Sequence, residues 1–234
     1  MMPARSAGID VPDELVRLGG ADLTICVAPA QDLPCFPEER DALVRSTAER
    51  RREFATGRDC ARRALARLGL PPVALPPDAD GLPRWPPGFT GSISHGGGLC
   101  CAAVARTSAV AALGIDVERI VPFEPSLARR VCRADERARI VRMPGLDGHW
   151  PNLVFSAKEA VYKCLFPRFG CFLEFEDVGL AFTIESAAGH GRFRVVDAMP
   201  GRWEGVARAL EGRWLIARDH IFASAVEYGQ CDPG

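Results

Sequence analysis

Gly114-Ile115-Asp116-Val117-Glu118 and, further on, Phe155-Ser156-Ala157-Lys158-Glu159-Ala160-Val161-Tyr162-Lys163 decide how this chain folds. In the first stretch apolar and acidic residues alternate, the period of a strand that sends Ile115 and Val117 to one face and Asp116 and Glu118 to the other. In the second, Glu159 and Lys163 stand four apart among residues that are almost all apolar, the signature of a largely buried helix with a charged pair on one face. Charges on so apolar a helix need partners.

Outward from these two stretches the pattern is helix first, then strands, twice over. A short strand is expected at Leu23–Val27, and a helix from near Pro37, with a break, towards Leu68. Gly69 and Pro71-Pro72 stop that helix. Residues 71–88 carry seven prolines and read as an ordered loop. Strands follow at Thr90–His95, Leu99–Ala105 and Val110–Ile120, the first two joined by Gly96-Gly97-Gly98. Helices are expected over Pro125–Arg142 and Leu153–Phe166, the second ending at Pro167, and the tail reads as strands at Val178–Ile184, Arg192–Val196, Trp214–Ala217 and Ile221–Val226. This predicts an α+β fold of two similar halves, although no direct sequence repeat is visible.

The chain has 234 residues, 47% hydrophobic and 25% charged, with a net charge of −1, and so has the make-up of an ordinary globular protein. Near-neutral charge gives no reason to expect nucleic acid as a partner, and no apolar run reaches the length of a membrane span. The N-terminus lacks the apolar core of a signal peptide, which predicts a cytoplasmic protein. The nine cysteines form no Cys-x-x-Cys and are expected to be small buried residues rather than disulfides or zinc ligands.

Two carboxylates on a strand, a third on a helix and neighbouring lysines suit a divalent metal that holds a phosphorylated substrate. Taken alone, Asp116 and Glu118 fit equally the solvated face of an edge strand, and Lys158, Glu159 and Lys163 an ordinary helix surface. Ser92-Ile93-Ser94-His95-Gly96 lacks the spacing of a nucleophile elbow, and suits instead a strand end and glycine turn that cradle phosphate. The arginines at 50, 51, 52, 58, 62, 63 and 67 form a basic helix from which one or two need reach an anion. Neither a phosphate-binding Gly-Lys loop nor a dinucleotide fingerprint is present.

Four motifs in order are similar to those of the 4′-phosphopantetheinyl transferases of the surfactin-synthetase-associated type, closest to the enterobactin-synthetase component D-like branch. They are Gly57-Arg58-Asp59-Cys60-Ala61, Trp85 to His95, Gly114 to Glu118 and Phe155 to Lys163, and the resemblance runs from Glu49 to Val226. It implies an antiparallel sheet with a long helix in each half, divided as 1–113 on the coenzyme A nucleotide side and 114–234 with the catalytic carboxylates, in a monomer.

It also implies transfer of 4′-phosphopantetheine from coenzyme A to a serine of an apo acyl or peptidyl carrier protein, releasing adenosine 3′,5′-bisphosphate. Asp116 and Glu118, with the Val117 backbone, would bind magnesium (or manganese). Glu159 would be a third ligand or the base for the carrier serine. Lys163 would bind the pyrophosphate, assisted by Lys158. Ser94, His95, Arg50 and Arg58 would contact the nucleotide and its phosphates, and Leu173 would line the pantetheine channel. The resemblance departs at Pro76–Gly81, which has no basic residue before Arg84, leaving the 3′-phosphate to Arg50, Arg58 and His95, or to Arg84. The acidic carrier is expected to dock on the basic helix or on residues 168–172. A metal-dependent nucleotide pyrophosphate hydrolase and a non-catalytic coenzyme A-binding module are the competing readings.

Overall fold

The computed structural model describes residues 15, 18–20, 22–122, 124–140, 149–170, 172–186, 189–198, 200–201 and 203–229. Its elements run in the expected order. Strand β1 (Thr24–Pro29) leads through a 3-10 helix (Pro37–Leu43) to helix α1 (Ala48–Arg67), then to β2 (Phe89–Gly96), β3 (Leu99–Arg106) and β4 (Val110–Arg119). Helices α2 (Pro125–Val131), α3 (Ala134–Ile140) and α4 (Trp150–Phe169) precede β5 (Val178–Ser186) and β6 (His190–Ala198). Helix α5 (Glu204–Ala209), β7 (Glu211–Ala217) and β8 (His220–Tyr228) complete the chain.

The strands form two antiparallel sheets, ordered β1-β3-β2 and β4-β8-β7-β6-β5. The first order recurs at the start of the second: β4-β8-β7 repeats β1-β3-β2, and β6 and β5 extend it. The two similar halves are therefore present. The 113/114 division falls inside β4, which pairs with β8 on both sides of that point, with a register shift between Val110 and Ala112.

Alternation along each strand builds the layers. On β3, Ala102 and Val104 pack with Cys60, Ala61, Ala64 and Leu65 of α1, while Cys101, Ala103 and Ala105 face the other way. There they meet Ile115 and Val117 of β4 and Phe222 and Val226 of β8, so the central core lies between the two sheets. On the far side of the second sheet, Leu153, Ala157, Ala160, Val161 and Leu165 of α4 pack on Ala223 and Ala225. Full burial of each such leucine stabilises the fold by roughly 1.5–3 kcal/mol.

Three expectations are corrected. The helix over 125–142 is two helices, because Cys132 adopts an extended backbone (φ −99°, ψ 123°), and positions 141 and 142 lie outside the described residues. Helix α4 runs through Pro167, which sits in the last turn, where only one ladder bond is lost. It ends instead at Gly170, whose left-handed φ of 61° a glycine adopts without strain. Helix α5 was not anticipated. Of the cysteines, six are buried and Cys35 is half-buried; Cys171 and Cys231 lie outside the described residues.

Each half also carries a buried glutamate that fastens its long helix. Glu39 accepts from Phe36 N (3.1 Å), Leu75 N (2.8 Å) and the Arg62 guanidinium of α1 (2.8 Å). Glu136 accepts from Arg133 N (2.8 Å), Leu180 N (2.7 Å) and the Lys158 ammonium of α4 (2.8 Å). In each case the glutamate binds the backbone N–H three residues before it, a cation on the long helix and an N–H further along the chain. The internal repeat that the residue letters hide is written in these contacts.

Candidate active site

The edges of the two sheets, β2 and β4, come together beneath α4. Two glycines permit this. A Cβ on Gly114 would lie 2.0 Å from the Ala160 carbonyl oxygen, so β4 and α4 touch backbone to backbone. A Cβ on Gly96 would lie 2.3 Å from the Val117 carbonyl oxygen, so β2 and β4 do the same. Beyond Gly114 the strand alternation turns Asp116 away from the Ile115 and Val117 side.

Asp116 is 1% exposed, and its Oδ1 accepts from Ser94 Oγ (2.8 Å) and Lys163 Nζ (2.5 Å). Lys163 Nζ also donates to Ser94 Oγ (2.8 Å), closing a triangle of one residue each from β2, β4 and α4. The solvated-edge reading of β4 thus fails: the strand is at a sheet edge, but β2 and α4 cover it. Asp116 Oδ2 is buried with no hydrogen-bond partner. Burial, then the negative charge of Asp116 and that of Glu159, outweigh Lys163 and push the Glu118 carboxyl up to about 7. Burial and Asp116 likewise raise Glu159, against the pull of Lys163. Burial of Lys163 disfavours its charge, but Asp116 and Glu159 overcome this and hold it ionised above the usual lysine range.

An orphaned buried oxygen and two carboxylates resisting ionisation describe a cluster that is short of positive charge. The hard oxygen donors fit magnesium, which takes one or two carboxylates and completes its shell with water and substrate phosphate. Among the described residues no group of three His, Cys, Asp or Glu side chains closes on a metal position. Asp116, Glu118 and Glu159 are neighbours in charge, but not a ready-made three-carboxylate cage.

From the Lys163 side of this cluster opens a cleft of ≈ 520 Å³ between the halves. Arg50 and Arg58 of α1, Ser92 and His95 of β2, the 78–85 loop and Tyr162, Lys163 and Phe166 of α4 line it. Arg58 is 5% exposed, stacks 3.6 Å over the Phe54 ring and donates through Nε to Leu75 O (3.3 Å). One terminal nitrogen of its guanidinium is buried with no partner, and burial lowers its pKa to about 10. Arg50 pairs with Glu53 (3.6 Å) and meets His95 Nε2, while His95 Nδ1 lies 3.3 Å from Glu53. Burial, with Arg50 and Lys163 nearby, outweighs Glu53 and lowers the His95 pKa. Glu53 was not singled out from sequence; its position three residues after Arg50, on the same helix face, was the available signal.

Ser94 and His95 separate as strand neighbours must, Ser94 to the carboxylates and His95 to the arginine wall. Leu173 lines a narrower pocket of ≈ 80 Å³ with Glu159, Tyr162 and Phe175, and Tyr162 forms part of both walls. Arg84 is exposed and does not line the cleft; its neighbours Pro83 and Trp85 do. Lys158 is 4% exposed, spends its ammonium on Glu136, Val131 O (2.9 Å) and Phe175 O (2.6 Å) rather than on Asp116, and lines the narrower pocket beside Glu159 and Leu173. Arg168 is held by both oxygens of Glu227 (2.6 and 2.7 Å), and Cys171 lies outside the described residues.

The family model described as 4′-phosphopantetheinyl transferase N-terminal domain matches residues 38–105, and that of the 4′-phosphopantetheinyl transferase superfamily matches residues 112–207. The chain is 42% identical over 183 residues to the 4′-phosphopantetheinyl transferase Svp of Streptomyces mobaraensis, covering 76% of this chain and 73% of that protein. It is 36% identical over 193 residues to the transferase PptT of Mycobacterium tuberculosis, covering 82% and 85%. It is also 36% identical over 221 residues to the transferase Npt of Nocardia iowensis, covering 92% and 99%.

Proposed function

The chain belongs to the 4′-phosphopantetheinyl transferase superfamily, and from that membership we propose how its own residues carry out the transfer. It is an enzyme that transfers phosphopantetheine to carrier proteins, with coenzyme A as co-substrate. The pyrophosphate hydrolase reading is not favoured, nor is the non-catalytic coenzyme A-binding module. The proposed division of labour gives the nucleotide to residues 1–113 and the carboxylates to 114–234. The observation that carries this reading is the shared boundary at Lys163, which lies on the cleft and on Asp116 at once.

In the cleft, the unpartnered Arg58 nitrogen, Arg50 and His95 are offered to the nucleotide phosphates. Arginine forks suit such oxygens, and a buried cation without a partner gains most from an anion. Lys163 meets the pyrophosphate from the opposite wall, tethered by Asp116 and Ser94. Leu173 and Tyr162 flank the path for the pantetheine arm. The carrier serine oxygen attacks the β-phosphorus, the bond to the bridging oxygen breaks, and adenosine 3′,5′-bisphosphate leaves. Glu159 takes the serine proton: a carboxyl whose pKa is raised is a better base than an ordinary one.

Asp116 and Glu118, with the Val117 carbonyl that faces Gly96, are the proposed magnesium ligands. When bound, the ion supplies neutralisation of the charge that builds on the leaving phosphate. Positioning and neutralisation are most of what phosphoryl-type transfer requires.

The test is intact-mass spectrometry of an apo carrier protein incubated with the chain, coenzyme A and magnesium. The expected result is a gain of one phosphopantetheine group, abolished by chelator and restored by magnesium. Cleavage of coenzyme A with no mass gained by the carrier would overturn the transfer in favour of hydrolysis.

A further inference from the structure

We infer that Glu39, a residue outside the cleft, is a positioning residue for the coenzyme A site, acting through the backbone of Leu75 on Arg58. This rests on the proposed use of Arg58 as a phosphate-binding group. The connection is a continuous set of contacts. Glu39 is fully buried (0% exposed), and its Oε1 accepts from both Arg62 and Leu75 N, each at 2.8 Å. The carbonyl of the same Leu75 residue accepts from Arg58 Nε at 3.3 Å. Holding the Leu75 N–H therefore places the residue whose carbonyl, in the next peptide unit, orients Arg58.

The geometry has a purpose only if Arg58 must point somewhere. Its guanidinium is buried and held by two contacts, the Leu75 carbonyl and the Phe54 ring, yet one terminal nitrogen has no partner. A buried donor left unsatisfied costs about 1–3 kcal/mol, more when charged, and is kept where a ligand later satisfies it. Arg58 lines the cleft, and the anion that answers this nitrogen is a phosphate of the nucleotide. A second effect runs the same way. Leu75 lies in the loop whose turn, built on Asp78 Oδ1 accepting from Asp80 N and Leu82 N (2.9 Å each), forms part of the cleft wall. Glu39 therefore anchors both the cation and the loop that carries part of the cleft wall.

An isolated structural clamp and a positioning clamp differ in what they couple to. The test is a double-mutant cycle on the full chain, read by calorimetric titration with coenzyme A and by the Michaelis constants for both substrates. Glu39→Asp, which keeps the charge beside Arg62 but draws back from Leu75 N, and Arg58→Lys should each weaken coenzyme A binding about tenfold, the worth of one well-placed charge-assisted contact. The KM for the carrier protein should stay within about twofold in both. In the Arg58→Lys background, Glu39→Asp should add nothing. If Glu39→Asp fails to fold by thermal melting, Glu39→Gln takes its place with a loss of the same sign but smaller, because its amide oxygen still accepts from Leu75 N while its uncharged end loosens Arg62.

Multiplying effects in the double variant, equal rises in both Michaelis constants, or a folded Glu39 variant with wild-type coenzyme A affinity would each overturn the inference. So would failure of the wild-type chain to bind coenzyme A. A chain that binds coenzyme A with the expected cycle but modifies no carrier would instead overturn the transfer and leave Glu39 in place.

Discussion

Asp116→Ala should lose about three orders of magnitude in turnover while the protein stays folded, the scale seen when one preorganised electrostatic group is removed from a reaction centre. The loss has two parts. Oδ1 anchors Lys163 and Ser94, so its removal frees the lysine to wander from the pyrophosphate. Oδ2, buried and unpartnered, is the strongest candidate for a direct metal bond. Folding should survive because Asp116 is also a source of repulsion: its charge raises both Glu118 and Glu159. Asp116→Asn separates the parts, since an amide oxygen still accepts from Ser94 but brings no charge. The check is turnover against magnesium concentration, with melting temperature followed in parallel. Magnesium that binds only the folded wild type raises its melting temperature, and neither variant should show that rise. A wild-type metal titration in Asp116→Ala would remove Asp116 from the ligand set.

Much of this arrangement was legible in the sequence because period and chemistry agreed there. Alternation in Ile115-Asp116-Val117-Glu118 is forced once Ile115 and Val117 bury in the central core, and it delivers Asp116 to the other side. The spacing of Glu159 and Lys163 puts both on the face of α4 that meets β4. The strands fall within a few residues of their expected ends for the same reason. What was not legible depends on partners far away in the chain. Lys158 and Glu159 stand side by side in sequence, but adjacent helical residues point about 100° apart, so Glu159 feels Asp116 and Lys163 while the Lys158 ammonium reaches Glu136. Glu136 sits in Ala134–Ile140, among charged residues that read as surface, and its burial is decided by Leu180 and Lys158 closing over it. The break at Cys132 is set by the same carboxylate, which accepts from Arg133 N where the second helix begins. Glu39 was hidden for the equivalent reason in the other half.

Lys158→Met should destabilise the fold by about 3–5 kcal/mol, the usual result of removing one partner of a buried ion pair and leaving the other charged. The two side chains are 3% and 0% exposed and 2.8 Å apart, so solvent offers little relief. Methionine keeps most of the length and the apolar stem but none of the three donated bonds, which orphans the Val131 and Phe175 carbonyls as well as part of Glu136. For a domain of this size such a loss lowers the melting midpoint by roughly 6–20 °C. Well below that midpoint the folded fraction should turn over at close to the wild-type rate, because the ammonium is spent on Glu136 and two carbonyls and only the stem, whose length methionine largely keeps, is left to line the narrower pocket. A double variant with Glu136→Gln should recover part of the stability by discharging the carboxylate, since the amide oxygen still serves one backbone N–H. Urea denaturation checks the stability and initial rates on the folded protein check the chemistry. The outcome that would give Lys158 a direct part in the reaction is the reverse pattern: an unfolding free energy within about 1 kcal/mol of wild type, with turnover reduced a hundredfold or more.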